Sequence, residues 1–491
     1  MPLWSAFCAG AYTARSINLD NEACINLYPQ TIDSTGNAKK SVLYGTPGLI
    51  DAGCATTTSC RGMFSQDGRA FAVIGATLYE LTVSGNGDSA TVATVSRGTI
   101  VNDSKPVFFA SNGAGGNQLA MSGGGQLKIF NLSTNTLGAA VSLPLTNAPT
   151  TVRFINSYFL LGELNTLKIW FSAPENGSSW NGLDFFTRSN TSDNVVGMEV
   201  KNDLIYVFGS QTSEIVYNVG AADNPFLPYP GSIIMDGAIS AYAIGVVGES
   251  VVWLSKDNAN VAKVMRMTAG AAEPISTPAV DFALASYSVL TDAEILIYEQ
   301  EGHRFAIFTL PTADVSWAFD ERESQWHQRL SWNAVSSTYF RWRARGSCAP
   351  GNQVILVGDY VTGDVYVLSL DNFTENGAAI RRLRRAPYLS AENQWLFLDA
   401  IELGIQGGVG NANVTDPQVN LRFSRDFGNT YTSFAAVSLG KSAVYNQRAI
   451  WRHLGRVRSD RLVMEIMQTD AARAVYGPGV WLRASPGSGE L

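Results

Sequence analysis

Three histidines, His303, His327 and His453, are all the imidazole this 491-residue chain has to work with. They stand far apart in an order with no HxH or HxxxH spacing, so a histidine metal site or a Ser-His-Asp triad is not expected. No G-x-S-x-G elbow occurs. The glycines of Gly113-Ala-Gly115-Gly116 and Gly123-Gly124-Gly125 lack the Lys-Ser/Thr pair with which a phosphate loop grips a nucleotide, and they read as hairpin or loop glycines. Asp320, Glu321 and Glu323 cluster, but acid/base work needs two carboxylates converging in a cleft. Interleaved with Arg322, they read as a solvated turn. The cysteines are Cys8, Cys24, Cys54, Cys60 and Cys348, odd in number and without a CxxC. Free thiols are the expectation, with a Cys54–Cys60 bridge across a turn as the alternative. No catalytic, cofactor-binding or metal-ligating residue is assigned, and no cofactor is expected.

Ser424-Arg-Asp426-Phe-Gly428-Asn-Thr430-Tyr431 resembles the Asp-box turn of sialidases, with Tyr for Trp. Asp426 can accept backbone N–H bonds across such a turn while Gly428 takes positive φ, so the segment is read as a structural turn and not as glycosidase chemistry. The remaining concentration of chemistry is basic. Arg341, Arg343 and Arg345 alternate, and would project from one face of a strand. Arg381, Arg382, Arg384 and Arg385 form a run, and Arg448, Arg452, Arg456, Arg458 and Arg461 accompany Trp451. Arg beside Trp and Tyr is the make-up of protein interfaces, so a docking face for acidic partners is preferred over phosphate-backbone binding or solvated strand faces.

The elements that must carry these residues are strands. Hydrophobic residues make up 46% of the chain, which excludes wholesale disorder, while charged residues are only 16% against the usual ~25%. The formal charge of −7 excludes a general nucleic-acid binder by composition. Residues 331–491 hold 17 basic and 13 acidic side chains, and residues 1–330 hold 18 and 29, so an acidic body precedes a basic C-terminal third. Met1-Pro2-Leu3-Trp4 lacks the cationic region of a signal peptide, and the apolar stretch Ala238 to Leu254 is broken by Glu249. A soluble protein made in a reducing cytoplasm is expected.

One unit recurs seven times: an apolar run, a short polar or glycine-containing turn, and a second apolar run. The turn centres fall near residues 76, 124, 164, 211, 258, 312 and 361, spaced by 40 to 54 residues. A four-stranded propeller blade takes ~40–50 residues. A lone hairpin cannot bury both faces, whereas blades in a ring bury one another. The reading is an all-β chain: an irregular N-terminal arm over 1–50, a β-propeller of six or seven blades over 51–375, an antiparallel, jelly-roll-like β-sandwich over 376–484, and a flexible tail over 485–491. A large β-sandwich or a β-solenoid is the rival reading.

Two segments carry a family resemblance. Ile25-Asn26-Leu27-Tyr28-Pro29 with Gly45-Thr46-Pro47-Gly48-Leu49 resembles the opening of the packaged-DNA stabilisation proteins of short-tailed bacteriophages, also called tail accessory or tail nozzle proteins. Asn446-Gln-Arg448-Ala-Ile450-Trp451-Arg452-His-Leu454-Gly455-Arg456-Val-Arg458 resembles their near-terminal strand. The resemblance implies a non-enzymatic virion tail protein, assembled in the host cytoplasm. It implies a homo-hexameric nozzle below the portal–adaptor ring, which retains packaged DNA, conducts it at ejection with transient non-specific contact, anchors fibres or spikes and a plug, and touches no membrane. It also implies scaffold roles: Pro29, Pro47 and Gly48 would fix turns of the arm, and Trp451 and Gly455 would pack the terminal strand. The rivals are a propeller glycosidase or depolymerase and a carbohydrate-binding adhesin, both acting on host surface glycans.

Overall fold

The computed structural model describes residues 3–16, 19–33, 39–54, 57–188, 191–221, 224–257, 261–268, 271–388 and 394–486. Within them the chain is all-β, with seven four-stranded blades. Blade 1 runs from Cys60–Gln66 to Thr91–Thr99, blade 2 from Phe108–Ser111 to Thr136–Ala140, and blade 3 from Pro149–Ile155 to Phe185–Thr187. Blade 4 runs from Val195–Lys201 to Phe226–Pro228, blade 5 from Ile244–Val247 to Ala271–Pro274, and blade 6 from Glu294–Gln300 to Gln325–Gln328. Blade 7 takes Ala344–Gly351, Val354–Asp359 and Val365–Ser369 from this stretch of chain and its fourth strand, Gly48–Cys54, from the N-terminal region. The innermost strands touch in sequence around the ring, and that of blade 7 touches that of blade 1, so the ring is closed.

Local chemistry makes the blades. Their first hairpins turn on Asp67-Gly68, Asn156-Ser157, Asn202-Asp203 and Asn352-Gln353, where both residues of each pair have positive φ. Such turns match the right-handed twist of the strands they join. The two central strands of each blade are the seven recurring hairpins of the sequence, and the turns joining them lie at the opposite end of the ring from those tight turns. The fifth turn centre, residue 258, lies outside the described residues. Apolar side chains fill the spaces between blades: Phe71, Val73 and Leu78 of blade 1 pack on Leu119, Met121 and Phe130 of blade 2, and Phe305 and Ile307 of blade 6 on Val357 and Tyr366 of blade 7.

The sandwich is built from both ends of the chain. One sheet orders Leu27–Asp33, Lys39–Gly45, Val475–Pro486, Trp395–Ile405 and Ala449–Arg458. The other joins Asn21–Ile25, Arg382–Pro387, Val463–Gln468, Gln418–Ser424 and Ala435–Ser438. Ile25 also bridges to Gln328, so the second sheet runs on into blade 6. The first fifty residues, expected as an irregular arm, therefore supply strands to the sandwich and to blade 7. The propeller is inserted within the sandwich, and short arm motifs gave no periodicity from which to read this. Ser485 and Pro486, expected in a flexible tail, end the strand Val475–Pro486, and residues 487–491 lie outside the described residues.

Candidate functional site: the propeller mouth and the basic sandwich face

The turns between central strands and the loops linking blades surround one mouth of the ring. A cavity of about 470 Å³ opens there among Gly123–Gly125, Thr150, Asn165, Ser210 and Tyr242. A second, of about 550 Å³, shares Lys105, Tyr242 and Thr291 with it and reaches Arg341, Arg345 and Tyr360. Of the carboxylates lining these cavities, two are ion-paired and one accepts a single N–H, its other oxygen having no partner among the described residues. Asp103 pairs with the buried Arg61, Glu294 takes both Nε and Nη2 of Arg345 at 2.8 and 2.6 Å, and Asp292 accepts the Thr312 N–H at 2.7 Å. Among the described residues lining these cavities, no two free carboxylates converge for proton transfer.

Two of the three histidines meet in the core of blade 6, a proximity their sequence separation hides. His303 Nδ1 lies 2.6 Å from Asp320 Oδ2, and both residues are buried. The Tyr28 and Phe305 rings flank His303 at 5.3 and 5.8 Å. His327 packs beside them, and burial pushes its pKa down to about 3. The pair is sealed from solvent. The acidic cluster is divided: Asp320 turns inward to His303, while Glu321 binds the exposed Arg304. All five cysteines are free and buried, and desolvation lifts the Cys8 and Cys24 thiols to about 12. Among the described residues no cluster of three or more His, Cys, Asp or Glu could hold a metal.

The arginine run does not form the expected outward face. Arg341 and Arg345 lie on different strands, with the chain breaking at Arg343 and the fully buried Trp342. Arg341 stacks over Tyr360 at 3.7 Å, Arg343 pairs with Asp359 at 2.6 Å, and Arg345 is held by Glu294. Arg381 lies 4.2 Å over Trp332. Arg382 and Arg384 are fully buried, which removes them from any docking surface. Arg384 donates to Phe7 O and Gly10 O and pairs with Glu22 at 2.7 Å, pinning an N-terminal segment whose carbonyls have no ladder partner. Arg385 shares the buried Glu465 with Arg422. An arginine run in a strand reads as surface until its partners are known, and those of Arg384 lie over 300 residues away in the N-terminal segment.

Arg452 and Arg456 do face solvent. They lie on the edge strand Ala449–Arg458, where His453 and Gly455 take positive φ beside a register shift against Leu398 and Ala400. Arg456 stacks on Trp395 at 3.9 Å. The same outward sheet face carries Phe397, 44% exposed, with Trp481 and Arg483. Trp451 points the other way, 4% exposed, with its Nε1 donating to Ala435 O at 2.7 Å.

The remaining scaffold positions differ from expectation in part. Pro29 lies inside the strand Leu27–Asp33, not in a turn. That strand is a sheet edge, where a missing N–H costs no ladder bond. Pro47 and Gly48 do sit where the chain passes from sandwich to propeller: Pro47 O accepts from the buried Arg329 at 3.2 Å, and a Cβ on Gly48 would meet Thr374 O at 2.6 Å as well as Asn372 O. Asn26, within the Ile25–Pro29 motif, was not expected to have a role of its own, because its partners are distant in sequence. At φ +55 it is 1% exposed, and its amide binds two distant chain segments, at Leu330 and at Arg381. The Asp-box segment is a turn as read: Asp426 accepts the Thr430 N–H at 2.8 Å and Gly428 has φ +90.

Comparison with known proteins gives this geometry its context. The family described as bacteriophage P22 Gp10, beta-propeller, matches residues 5–372, and that described as bacteriophage P22 Gp10, beta-sandwich, matches residues 381–477. Among curated proteins the chain is similar to the tail hub protein gp10 of Salmonella phage P22, 23% identical over 273 residues, spanning 54% of this chain and 56% of that one. The chain thus spans little more than half the length of that relative. Solved structures align only loosely. The extracellular domain of a one-component system from B. thetaiotaomicron gives a TM-score of 0.40 at 14% identity, over 80% of this chain and 47% of that one. PorZ, a surface component of the type-IX secretion system of Porphyromonas gingivalis, gives 0.37 at 10%, over 80% and 46%.

Proposed function

From a chain that belongs to the bacteriophage P22 Gp10 family, we propose a structural subunit of a phage tail. The observation that carries this reading is the paired match, propeller then sandwich, over nearly the whole chain. In this reading six copies close a nozzle beneath the portal–adaptor ring, retain packaged DNA, conduct it at ejection, and anchor fibres or spikes and a plug. The subunit has no catalytic role, a reading supported by the ion pairs that hold Asp103 to Arg61 and Glu294 to Arg345 at the mouth.

Charge supports a heterologous contact between copies. The propeller span 48–369 holds 18 basic and 28 acidic side chains, while the open sandwich face presents Arg452, Arg456 and Arg483 among Trp395, Phe397 and Trp481. Aromatic–arginine patches of this kind form interface cores, and head-to-tail contacts of unlike surfaces close rings. An acidic bore would not grip a passing polyanion. Imaging of intact virions with labelled antibody, together with native mass of the purified protein, tests the proposal. Label at the tail and a six-fold ring, alone or on its adaptor, support it. A monomer that is absent from virions and releases reducing ends from host polysaccharide overturns it.

A further inference from the structure

A third cavity, of about 190 Å³, lies where the propeller meets the sandwich, lined by Tyr28, Tyr44, Glu301, Asp371, Arg382 and Arg473. Its charges are unevenly satisfied. Arg473 Nη2 pairs with Asp371 Oδ1 at 2.6 Å, both side chains more than half exposed. Glu301 is exposed. Arg382 is different: it is fully buried, and its Nε and Nη1 have no hydrogen-bond partner among the described residues. The guanidinium lies against Gly45, whose Cβ, if present, would fall 2.8 Å from Nε. Glu375 and Tyr476 act on it from a distance, but neither forms an ion pair or hydrogen bond with it among the described residues. Burial pulls its pKa down to about 10.

A buried cation without a counter-ion carries a large desolvation cost. Of the four other arginines at such depth, three have a carboxylate, Glu22 for Arg384, Glu214 for Arg188 and Asp103 for Arg61, and Arg329 donates to the Tyr298 hydroxyl and to Pro47 O. Arg382 alone of the five has neither a carboxylate partner nor a hydrogen bond among the described residues, and the cavity lies beside it. Tyr28, whose hydroxyl burial keeps protonated, and Tyr44 are also part of the wall, and a tyrosine hydroxyl can donate to an anion. At roughly 30 Å³ per water the cavity has room for a tetrahedral ion with some of its hydration.

We propose that this cavity is an oxyanion site, taking a small phosphate-class ion that neutralises Arg382 and ties the propeller to the sandwich. The charge-assisted contact and the cavity's place between the two folding units make the bound ion a stabiliser of their junction.

The test is thermal unfolding of the whole protein in inorganic phosphate against sodium chloride at equal ionic strength. Phosphate is expected to raise the melting temperature by about 2–4 °C over chloride. Arg382→Met keeps the volume and removes the charge; it should melt no lower than the parent in chloride and lose the phosphate increment. An equal response to both salts, or an increment that survives in Arg382→Met, overturns the proposal. Should Arg382→Met not fold, Tyr44→Phe decides: a reduced increment supports the site, and an unchanged one refutes it. Acetate at the same ionic strength separates a phosphate-class site from a general carboxylate site, and an increment with acetate but none with phosphate also overturns it.

Discussion

The side-chain amide of Asn26 is hydrogen-bonded in both directions to the main chain of Leu330: Nδ2 donates to Leu330 O at 2.7 Å, and Oδ1 accepts from Leu330 N at 2.9 Å. Nδ2 also donates to Arg381 O at 3.0 Å. One short side chain stands in for a β-ladder between the arm, the exit of blade 6 and the sandwich.

Asn26→Ala would strand a buried N–H and two carbonyls, at roughly 1–3 kcal/mol for each unsatisfied group. A loss of about 2–4 kcal/mol in denaturant unfolding is expected. Asn26→Gly, which suits φ +55 better but makes none of the bonds, should fare no better than about 1 kcal/mol above Asn26→Ala. A near-neutral Asn26→Ala would show that water replaces the amide.

Arg384→Met should free the N-terminal segment without opening the ring. It removes the donors to Phe7 O and Gly10 O and the pair with Glu22. Breaking a buried pair by removing one partner costs about 3–5 kcal/mol. Hydrogen exchange should rise over residues 3–16, with blades 2–4 unchanged, and protection retained over 3–16 would contradict the pinning role.

Gly48→Ala tests ring closure. The added methyl collides with the carbonyls of Asn372 and Thr374, which are backbone and have little room to yield. Overpacking of this kind costs about 1–3 kcal/mol or more. Gly115→Ala, with open space around the new methyl and negative φ, is the control expected to be near neutral. Equal melting temperatures for the two variants would mean that the closing strand is not under this constraint.

His327 sets an acid limit. Its folded pKa of about 3 lies below the unfolded value of 6.5, so the unfolded chain binds the proton first as pH falls. The stability linked to this group is intact above pH 6.5 and is lost towards pH 3, at roughly 1.4 kcal/mol per pH unit. His327→Phe should flatten the stability profile between pH 6.5 and 4, measured by denaturant midpoints. An unchanged slope would show that other groups dominate acid unfolding.

Much of the propeller was legible because its repeating unit is local. A strand–turn–strand hairpin writes its period in neighbouring residues, as in Ala70–Ile74 turning into Leu78–Leu81, and seven of them at nearly constant spacing demand a ring. The Ser424–Tyr431 turn was legible for the same reason, since its bonds join residues within four or five positions of one another. Of the basic residues expected on a docking face, Arg452 and Arg456 do face solvent. Arg382 and Arg384 sit in the same kind of alternating strand, yet they face inward, because their surroundings come from residues 7–45 and 465–476.

Composition and short-range pattern thus determined an all-β chain of hairpin repeats followed by a second β unit, since both depend on contacts a few residues apart. Tertiary structure alone decided that Gly48–Cys54 closes the ring, that the propeller sits inside a sandwich made from both chain ends, and that one arginine is left buried beside an open cavity. Those outcomes depend on pairings across hundreds of residues, where the sequence carries no periodic signal and burial is settled only when distant segments meet.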